Sequence, residues 1–409
     1  MTTVELFAGA GGLALGLARA GFRHVALVDW DPDAYETLKM NAVRGHSLAR
    51  DWNPTRADVR NLPYEEIATE PIDLLAGGPP CQPFSQGGLH RGPLDPRDMF
   101  PAFIEAVRRL QPRAFLIENV RGLTRPTFAT YLEYIILGLT YPWLGPLPNE
   151  GWLDHLSRLE DVHTGRFVGD GHSYNVVFQV LNAADYGVAQ RRERLFIVGF
   201  RQDLGVHWSF PRPSHHAALL AYEQWVTGEY WQRHGISPDE GVVTKKPTNL
   251  RRVVRLAERL LEEDPDALPW RTTRDALWGS DPLPNPRSRH DIPNHEYRPG
   301  ARAYPGHTGS SLDEPAKTIK AGVHGVPGGE NMLRFRDGSV RYLTVREAAR
   351  IQAFPDDYVF PEGWTRAMKL VGNAVPVTLG EIIGRSIAKA LRQADVAREE
   401  GDPAPYPAT

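Results

Sequence analysis

The sequence predicts an α/β fold, a mostly parallel sheet with helices on both faces, joined to a smaller loop-rich region. Three observations predict it. Short apolar runs alternate with amphipathic stretches over the first 120 or so residues. Periodicity fades between Pro211 and Arg336, where proline, glycine, histidine and arginine become frequent. Helical periodicity then returns from Thr344 onward.

The elements follow in order. Val4-Glu5-Leu6-Phe7 reads as a buried strand, and Leu13 to Ala20 as a helix opened by glycines. His24 to Val28 is a second strand, with a helical stretch from Pro32 to Asn41. Asp73 to Gly77 and Ala114 to Glu118 supply two more strands, and this spacing is that of βαβ units. Asn175 to Leu181 and Arg194 to Phe200 are close enough to pair antiparallel at one sheet edge. One helix, Leu250 to Glu263, stands out in the loop-rich region. Thr344-Val345-Arg346-Glu347 opens a helix with a capping signature, and Thr378 to Leu391 forms another. The expected organisation is a first unit of residues 1–210, a second of 211–336, a return to the first over 337–397, and an unstructured tail at 398–409. The stretch from Arg121 to Gly171, with Trp143 and Trp152 among prolines and glycines, receives no role from sequence.

Composition narrows the function class. A hydrophobic share of 41% and a charged share of 24% are those of a globular chain able to bury a core. No run of about 18 apolar residues is present, which argues against a membrane span. The start, Met1 to Phe7, has neither the basic nor the apolar segment of a signal peptide, so a cytoplasmic location is expected. The net charge of −3 is unlike many nucleic-acid-binding domains. Between Lys245 and Arg341, however, 17 Lys and Arg stand against 13 Asp and Glu, a local balance of +4.

Chemistry concentrates in four places. Gly9, Gly11 and Ala14 satisfy the G-x-G-x-x-G/A pattern between strand and helix, and Asp29 follows twenty residues after Gly9. The glycines admit a ligand to the backbone and the acid takes ribose hydroxyls, as in Rossmann-like folds. The pattern fits a dinucleotide and S-adenosylmethionine equally. Trp30 offers a face for an adenine, and Asp58 an acceptor for its amino group. The one cysteine, Cys81, excludes an internal disulfide and would ordinarily be a small buried hydrophobe. Its loop, Gly77-Gly78-Pro79-Pro80-Cys81-Gln82-Pro83-Phe84-Ser85, instead presents it at the carboxyl end of a strand. Glu118-Asn119-Val120 ends a strand and points to the same crevice. In Gln190-Arg191-Arg192-Glu193-Arg194, alternation puts Arg192 and Arg194 within reach of one ligand, although such runs are commonly surface charge.

Together these motifs resemble the DNA cytosine-C5 methyltransferase family, in the bacterial restriction-modification type. The order of Phe7 to Gly12, Asp29-Trp30, Pro79 to Gln82, Glu118 to Val120, Gln190 to Arg194 and Gly372-Asn373-Ala374-Val375-Pro376 is the family's motif order. Arg341 to Glu347 with Phe354-Pro355, and Asp313 to Ile319, resemble its later segments. The resemblance covers roughly residues 4 to 392. It implies an S-adenosylmethionine-dependent methyltransferase sheet carrying the catalytic and cofactor sites, with target recognition in residues 211–336.

The resemblance also implies roles. Cys81 is the covalent nucleophile, Glu118 holds the base, Arg194 meets the base carbonyl, Arg192 meets a phosphate or the base, and Asn119 orders the Cys81 loop. Phe7, Gly9, Ala10, Gly11, Gly12, Asp29, Trp30, Asp58 and Pro79 hold the cofactor, closed over by Asn373 and Ala374. The product is S-adenosylhomocysteine, and no metal is implied. Ser85, Gln86 and Arg91 belong to a glycine-containing lid expected to cover DNA. Arg302, Lys317, Lys320 and Arg334 are further candidate contacts to double-stranded DNA. The implied enzyme is a cytoplasmic prokaryotic protein, a monomer on DNA, sharing its site with a cognate restriction endonuclease that it does not touch. The target leans toward a short GC-rich palindrome containing CG. An RNA-directed relative on the same scaffold would carry a Cys-Phe-Thr tripeptide, which is missing here.

Overall fold

The computed structural model describes residues 1–67, 69–80, 98–166, 171–237, 246–305, 307–322 and 331–400. Seven strands form the central sheet: β1 (Thr2–Leu6), β2 (Arg23–Asp29), β3 (Pro54–Arg56), β4 (Leu74–Gly77), β5 (Ala114–Val120), β6 (Tyr174–Asn182) and β7 (Glu193–Arg201). Their spatial order is β3-β2-β1-β4-β5-β7-β6. β1 to β5 are mutually parallel, while β7 runs antiparallel to both β5 and β6, the edge pairing expected from sequence. The chain leaves β1 toward β2 on one side, and β4 pairs on the other. Carboxyl ends on either side of such a reversal splay apart and leave a crevice for ligands.

Helices cover both faces. α1 (Gly12–Arg19), α2 (Pro32–Val43), the short α3 (Tyr64–Ile67), α4 (Phe100–Leu110), α5 (Ala129–Thr140) and α6 (Trp152–His163) alternate with the strands. Phe103 and Val107 of α4, Ile135 and Leu139 of α5, and Leu156 and Leu159 of α6 pack on one face with Phe115 and Ile117. Most of the described part of the stretch from Arg121 to Gly171 is thereby explained as a helical pair, α5 and α6, under the sheet. On the other face, Leu13 and Leu17 of α1 pack with Leu379, Ile383, Ile387 and Leu391 of α13 (Val377–Glu399). α13 lies so close to α1 that a Cβ on Gly16 would stand 2.7 Å from the Glu381 nitrogen and the Val377 oxygen. The C-terminal segment thus returns to complete the first sheet. α13 runs to Glu399, past the expected start of an unstructured tail at 398, and 401–409 lie outside the described residues.

The region after Pro211 is built from small pieces. β8 (His215–His216) pairs with β9 (Leu268–Pro269) beside α7 (Ala217–Tyr222), α8 (Glu229–His234) and α9 (Leu250–Glu263). Two small cores hold them, one around Leu219, Ala257 and Ala267, the other around Leu220, Tyr230 and Trp231. α10 (Thr273–Trp278), β10 (Ser310–Ser311), β11 (Met332–Arg334), β12 (Val340–Tyr342), α11 (Val345–Ile351) and α12 (Trp364–Asn373) follow. From Leu277 onward the packing changes owner. Leu277, Leu312, Ala316, Ile319 and Leu333 share one core with Ala8, Ala10, Leu38 and Trp52 near the glycine turn. A boundary at residue 336 therefore cuts through a shared core. Thr344 caps α11 in a reciprocal box with Glu347, as the sequence signature predicted. Among the described residues no helix is long and apolar enough to cross a membrane.

Candidate active site

The glycine turn begins where β1 ends. Phe7, Gly9 and Gly11 all have positive φ, at 56°, 55° and 78°. For Phe7 this conformation is costly, and such strain persists only where surroundings enforce it. The enforcement is visible: Ala8 donates its N–H to the Val28 carbonyl at 3.1 Å, and the Tyr358 hydroxyl donates to the Ala10 carbonyl at 2.8 Å. A Cβ at Gly9 would meet nothing within 4 Å, so open space lies over the turn. On its other side a Cβ on Gly12 would collide with the Val375 carbonyl and come within 3.2 Å of Ala374. The segment through Asn373, Ala374 and Val375 therefore closes on the turn. Ala374 is buried and Asn373 exposed.

Asp29 ends β2 and faces the turn. Its carboxylate accepts the Gly9 N–H at 2.7 Å and the Asp31 N–H at 2.8 Å. Burial nevertheless raises its pKa, because desolvation outweighs those two bonds. Trp30 beside it is 70% exposed, so its ring is not part of the core. Asp58 lies across the β2–β3 pairing, where the Ala57 N–H donates to the Asp29 carbonyl at 3.2 Å. It caps a short turn through the Arg60 N–H at 3.0 Å. Hydrogen bonding from the Arg60 guanidinium lowers its pKa. Asp29, Trp30 and Asp58 are thus gathered on one side of the crevice with an ionisable, a flat apolar and a charged acceptor group.

The opposite wall belongs to β5 and β7. Glu118 is 8% exposed, and its Oε1 lies 3.0 Å from Arg194 Nε. Its Oε2 is 3.4 Å from where a Cβ on Gly78 would stand, so the carboxylate borders the loop that leads to Cys81. Asn119 donates from Nδ2 to the Pro79 carbonyl at 3.0 Å, fixing that same loop from beneath. Pro79 is itself buried. Cys81, Ser85, Gln86 and Arg91 lie outside the described residues.

Arg192 departs from expectation. It is fully buried, with Nη1 donating to the Ile319 carbonyl at 3.2 Å and Nη2 to the Gly372 carbonyl at 2.9 Å. Burial, then the neighbouring Arg194, push its guanidinium well below the usual range. Alternation through both arginines would need an extended strand spanning them, but β7 begins only at Glu193. Arg192 therefore turns inward onto backbone carbonyls while Arg194 faces the carboxylate.

Two polar residues absent from the expected site belong with Arg192. Gln190 accepts the Ile319 N–H at 2.8 Å and donates to the Gln352 side chain at 2.9 Å. Gln352 in turn donates to the Val371 carbonyl at 2.6 Å. The signal for Gln352 was present, a glutamine between Ile351 and Phe354 in an otherwise apolar stretch. Among the DNA candidates, Lys317 and Arg334 sit around the small β10–β12 sheet. Lys317 Nζ donates to Thr308 at 3.2 Å, and Arg334 Nε is buried without a hydrogen-bond partner among the described residues. Lys320 is exposed, its backbone tied to the Asn331 side chain at 3.0 and 2.8 Å. Arg302 is exposed on a separate loop.

Comparison with known proteins places the chain in a family. A family model described as C-5 cytosine-specific DNA methylase matches residues 1–140 and 167–389. Type II methyltransferase M.NgoMIV of Neisseria gonorrhoeae is 30% identical over 403 residues, covering 96% of this chain and 98% of that one. Type II methyltransferase M.PspPI of Psychrobacter sp. (strain TA137) is 32% identical over 397 residues, covering 96% and 80%. In fold, the chain is similar to the Dnmt2 methyltransferase of S. pombe, with a TM-score of 0.53 at 17% identity, covering 96% of this chain and 99% of that one. It is also similar to a DNMT2 mutant of Spodoptera frugiperda, with a TM-score of 0.54 at 16% identity, covering 95% and 99%. The family model spans most of the chain and these relatives align along nearly all of it: the protein belongs to the C-5 cytosine-specific DNA methylases.

Proposed function

We propose that this enzyme methylates C5 of a cytosine within a specific double-stranded DNA sequence, by base flipping and a covalent Cys81–C6 adduct. The observation that carries the reading is the Glu118–Arg194 pair bordering the Cys81 loop, across the crevice from Asp29 and Trp30. Membership of the family implies S-adenosylmethionine as the methyl donor. The cofactor-side residues fit it: space over Gly9, an acceptor at Asp29 for ribose hydroxyls, and an unpacked ring at Trp30. When bound, S-adenosylmethionine supplies an electrophilic methyl group.

The chain's own residues then have these tasks. C6 of cytosine is buried in the base stack, so the base must leave the duplex to be attacked. The Cys81 thiolate adds to C6, and the ring electrons displaced from the C5–C6 bond make C5 nucleophilic. Glu118 holds N3 and the exocyclic amine, where charge would otherwise accumulate, and Arg194 fixes Glu118 while reaching the base carbonyl. After C5 gains its methyl group, it loses its proton, the C5–C6 double bond re-forms, and the Cys81 sulfur leaves. Arg192 acts by position, holding the Ile319 and Gly372 segments together. Asn119 does the same for the Pro79–Cys81 loop.

The Type II relatives support assignment as the modification enzyme of a restriction-modification system. The proposed enzyme works in a prokaryotic cytoplasm as a monomer on DNA. Recognition is assigned to the region from Pro211 to Arg336, with Lys317, Lys320, Arg334 and Arg302 as contacts and a CG-containing palindrome as target.

The test is methyl incorporation from labelled cofactor into duplex DNA, run beside a tRNA control, with the wild type and Cys81→Ala. Incorporation into cytosine of DNA should vanish in the variant while DNA binding survives. Duplexes with 5-fluorocytosine at the target should trap the wild type covalently, because C5 then has no proton to lose. Full activity of Cys81→Ala would sink the covalent mechanism, and labelling of tRNA alone would sink the substrate.

A further inference from the structure

The four arginines of α9 form a group on one helix without carboxylate partners among the described residues. Elsewhere arginines are mostly matched with carboxylates, as in Arg23–Glu70, Arg121–Glu193, Arg341–Glu347 and Arg366–Asp33. Arg251, Arg252, Arg255 and Arg259 are all exposed and make no ion pair among the described residues, although Glu258, Glu262 and Glu263 share their helix. At about 100° per residue the four fall within an arc of roughly 100°, one continuous stripe along the helix. The opposite side, through Ala257 and Leu260, seats the helix on the small core with Leu219.

The arrangement does not serve the helix itself. α9 has no acid in its first turn and no base in its last, with Arg251 and Arg252 at the start and Glu262 and Glu263 at the end. Each such charge opposes the helix dipole. A stripe kept against that preference, unpaired and facing solvent, points to an external anionic partner.

Position says which partner. The α7–α9 layer is pinned to the turn between β6 and β7, the segment that leads directly to Arg192 and Arg194. Trp270 donates to the Asp185 carboxylate at 2.8 Å, the Ser214 N–H to the Asp185 carbonyl at 3.0 Å, and the Tyr186 hydroxyl to the Pro211 carbonyl at 2.9 Å. The stripe is thus carried from the carboxyl-end rim of the sheet, on the Arg194 side of the crevice. The chain is net negative, at −3, so a polyanion must be met by a concentrated positive face rather than by the overall charge.

We infer that α9 is a phosphate clamp on duplex DNA flanking the target, contributing affinity without reading sequence. This rests on the DNA-methylating reading above. Arg251 to Arg259 rise about 12 Å along the helix, enough to follow roughly three to four phosphates of one strand. Nothing in the arrangement demands contact with base edges, and arginines on phosphates bind all sequences alike.

The experiment compares the wild type with the full-length variant Arg251→Gln/Arg252→Gln/Arg255→Gln/Arg259→Gln, which keeps length and helix propensity. Affinity for a duplex containing a methylatable site and for a duplex of unrelated sequence is measured across a salt series. The slope of log K against log salt should fall by about 0.9 for each phosphate no longer neutralised. Cognate and unrelated duplexes should weaken by the same factor, about tenfold or more at low salt, and the rate at saturating DNA should hold. Melting temperature and its shift by S-adenosylhomocysteine should be unchanged. An unchanged salt slope would overturn the clamp, and so would a selective weakening of cognate binding, which would make these arginines base readers. Self-association abolished in the variant with DNA affinity intact would also overturn it, making the stripe an interface between copies. Failure of the wild type itself to bind or methylate DNA would instead count against the underlying function.

Discussion

The Glu118–Arg194 pair permits a quantitative test of how the site handles charge. Its Oε1 to Nε separation is 3.0 Å, and the two side chains are only 10% and 17% exposed. With charge centres about 4 Å apart and an effective dielectric near 20, the direct attraction is about 4 kcal/mol. Residual solvent at Arg194 reduces that, so a double-mutant coupling of about 1–3 kcal/mol is expected. Glu118→Gln keeps the shape and removes the charge; Arg194→Met keeps the stem and removes the fork. If Glu118 stabilises charge on the flipped base, Glu118→Gln should slow single-turnover methyl transfer by roughly 10²–10³. Arg194→Met should lose a comparable factor, since it releases the carboxylate and drops the base carbonyl. The two residues act as one device, so the double variant should fall little further than the worse single. Rates would be read by rapid-quench methyl incorporation, with thermal melts confirming folded protein. Multiplicative losses in the double variant, or a Glu118→Gln rate within a few-fold of wild type, would refute the paired role.

Four further outcomes are expected. Trp30→Ala should weaken S-adenosylhomocysteine binding by about 1–3 kcal/mol, the scale of base stacking on an aromatic, while the melting temperature holds because the ring is 70% exposed; calorimetric titration reads the first and a thermal melt the second. Asn119→Ala leaves the Pro79 carbonyl without its partner and should cost about 1–3 kcal/mol, seen as a lower rate at saturating DNA and cofactor. Gly372→Ala places a Cβ 2.5 Å from backbone atoms of Lys320 and Ala321, so either segment must move, and chemical denaturation should show a loss of about 1–3 kcal/mol. Burial raises the Asp29 pKa, and in the proposed function its ionised form is the one that accepts ribose hydroxyls. Cofactor affinity should therefore be full above that raised pKa and fall as pH drops through it, whereas the ligand-free fold gains stability over the same acid window, a contribution it loses as pH rises again. Asp29→Asn should flatten both curves.

Much of the fold was legible because it rests on local signals. Strand runs such as Ala114–Glu118 are buried on both faces and read as continuous apolar stretches, and Thr344 with Glu347 announces a helix start in four residues. The buried position of Glu118 was legible for a similar reason, since a carboxylate near the end of a buried strand stands out among apolar neighbours. Arg192 was misplaced because strand alternation says which side a residue takes but not whether that side is solvent or another segment. Its partners, Ile319 and Gly372, lie 127 and 180 residues away. The shared core of Leu277, Leu312 and Ile319 with Ala8 and Leu38 escaped for the same cause. Proline- and glycine-rich sequence marks loops well, but it does not tell a loop with its own core from one that lends its apolar residues to a distant sheet.

The Gln190–Arg192 junction raises the question of why so central a contact is polar. An apolar plug of equal volume would often be as stable or more so. It would, however, tolerate sliding, and sliding here has a cost that can be located. Ile319 sits one residue before Lys320, on the side proposed for DNA recognition, and Gly372 one residue before the Asn373-Ala374 segment that closes on the glycine turn. Gln190 and Arg192 take a donor and an acceptor from Ile319 itself, and Gln352 and Arg192 take the Val371 and Gly372 carbonyls. Each bond is directional, so only one register satisfies them all, and any slip leaves buried carbonyls unpaired at about 1–3 kcal/mol apiece. A single buried arginine thereby holds the Ile319 segment and the Gly372 segment in fixed relation to the strand that carries Arg194. In the proposed reaction methyl transfer needs that relation held to a fraction of an ångström, because base and cofactor would be brought by different parts of the chain.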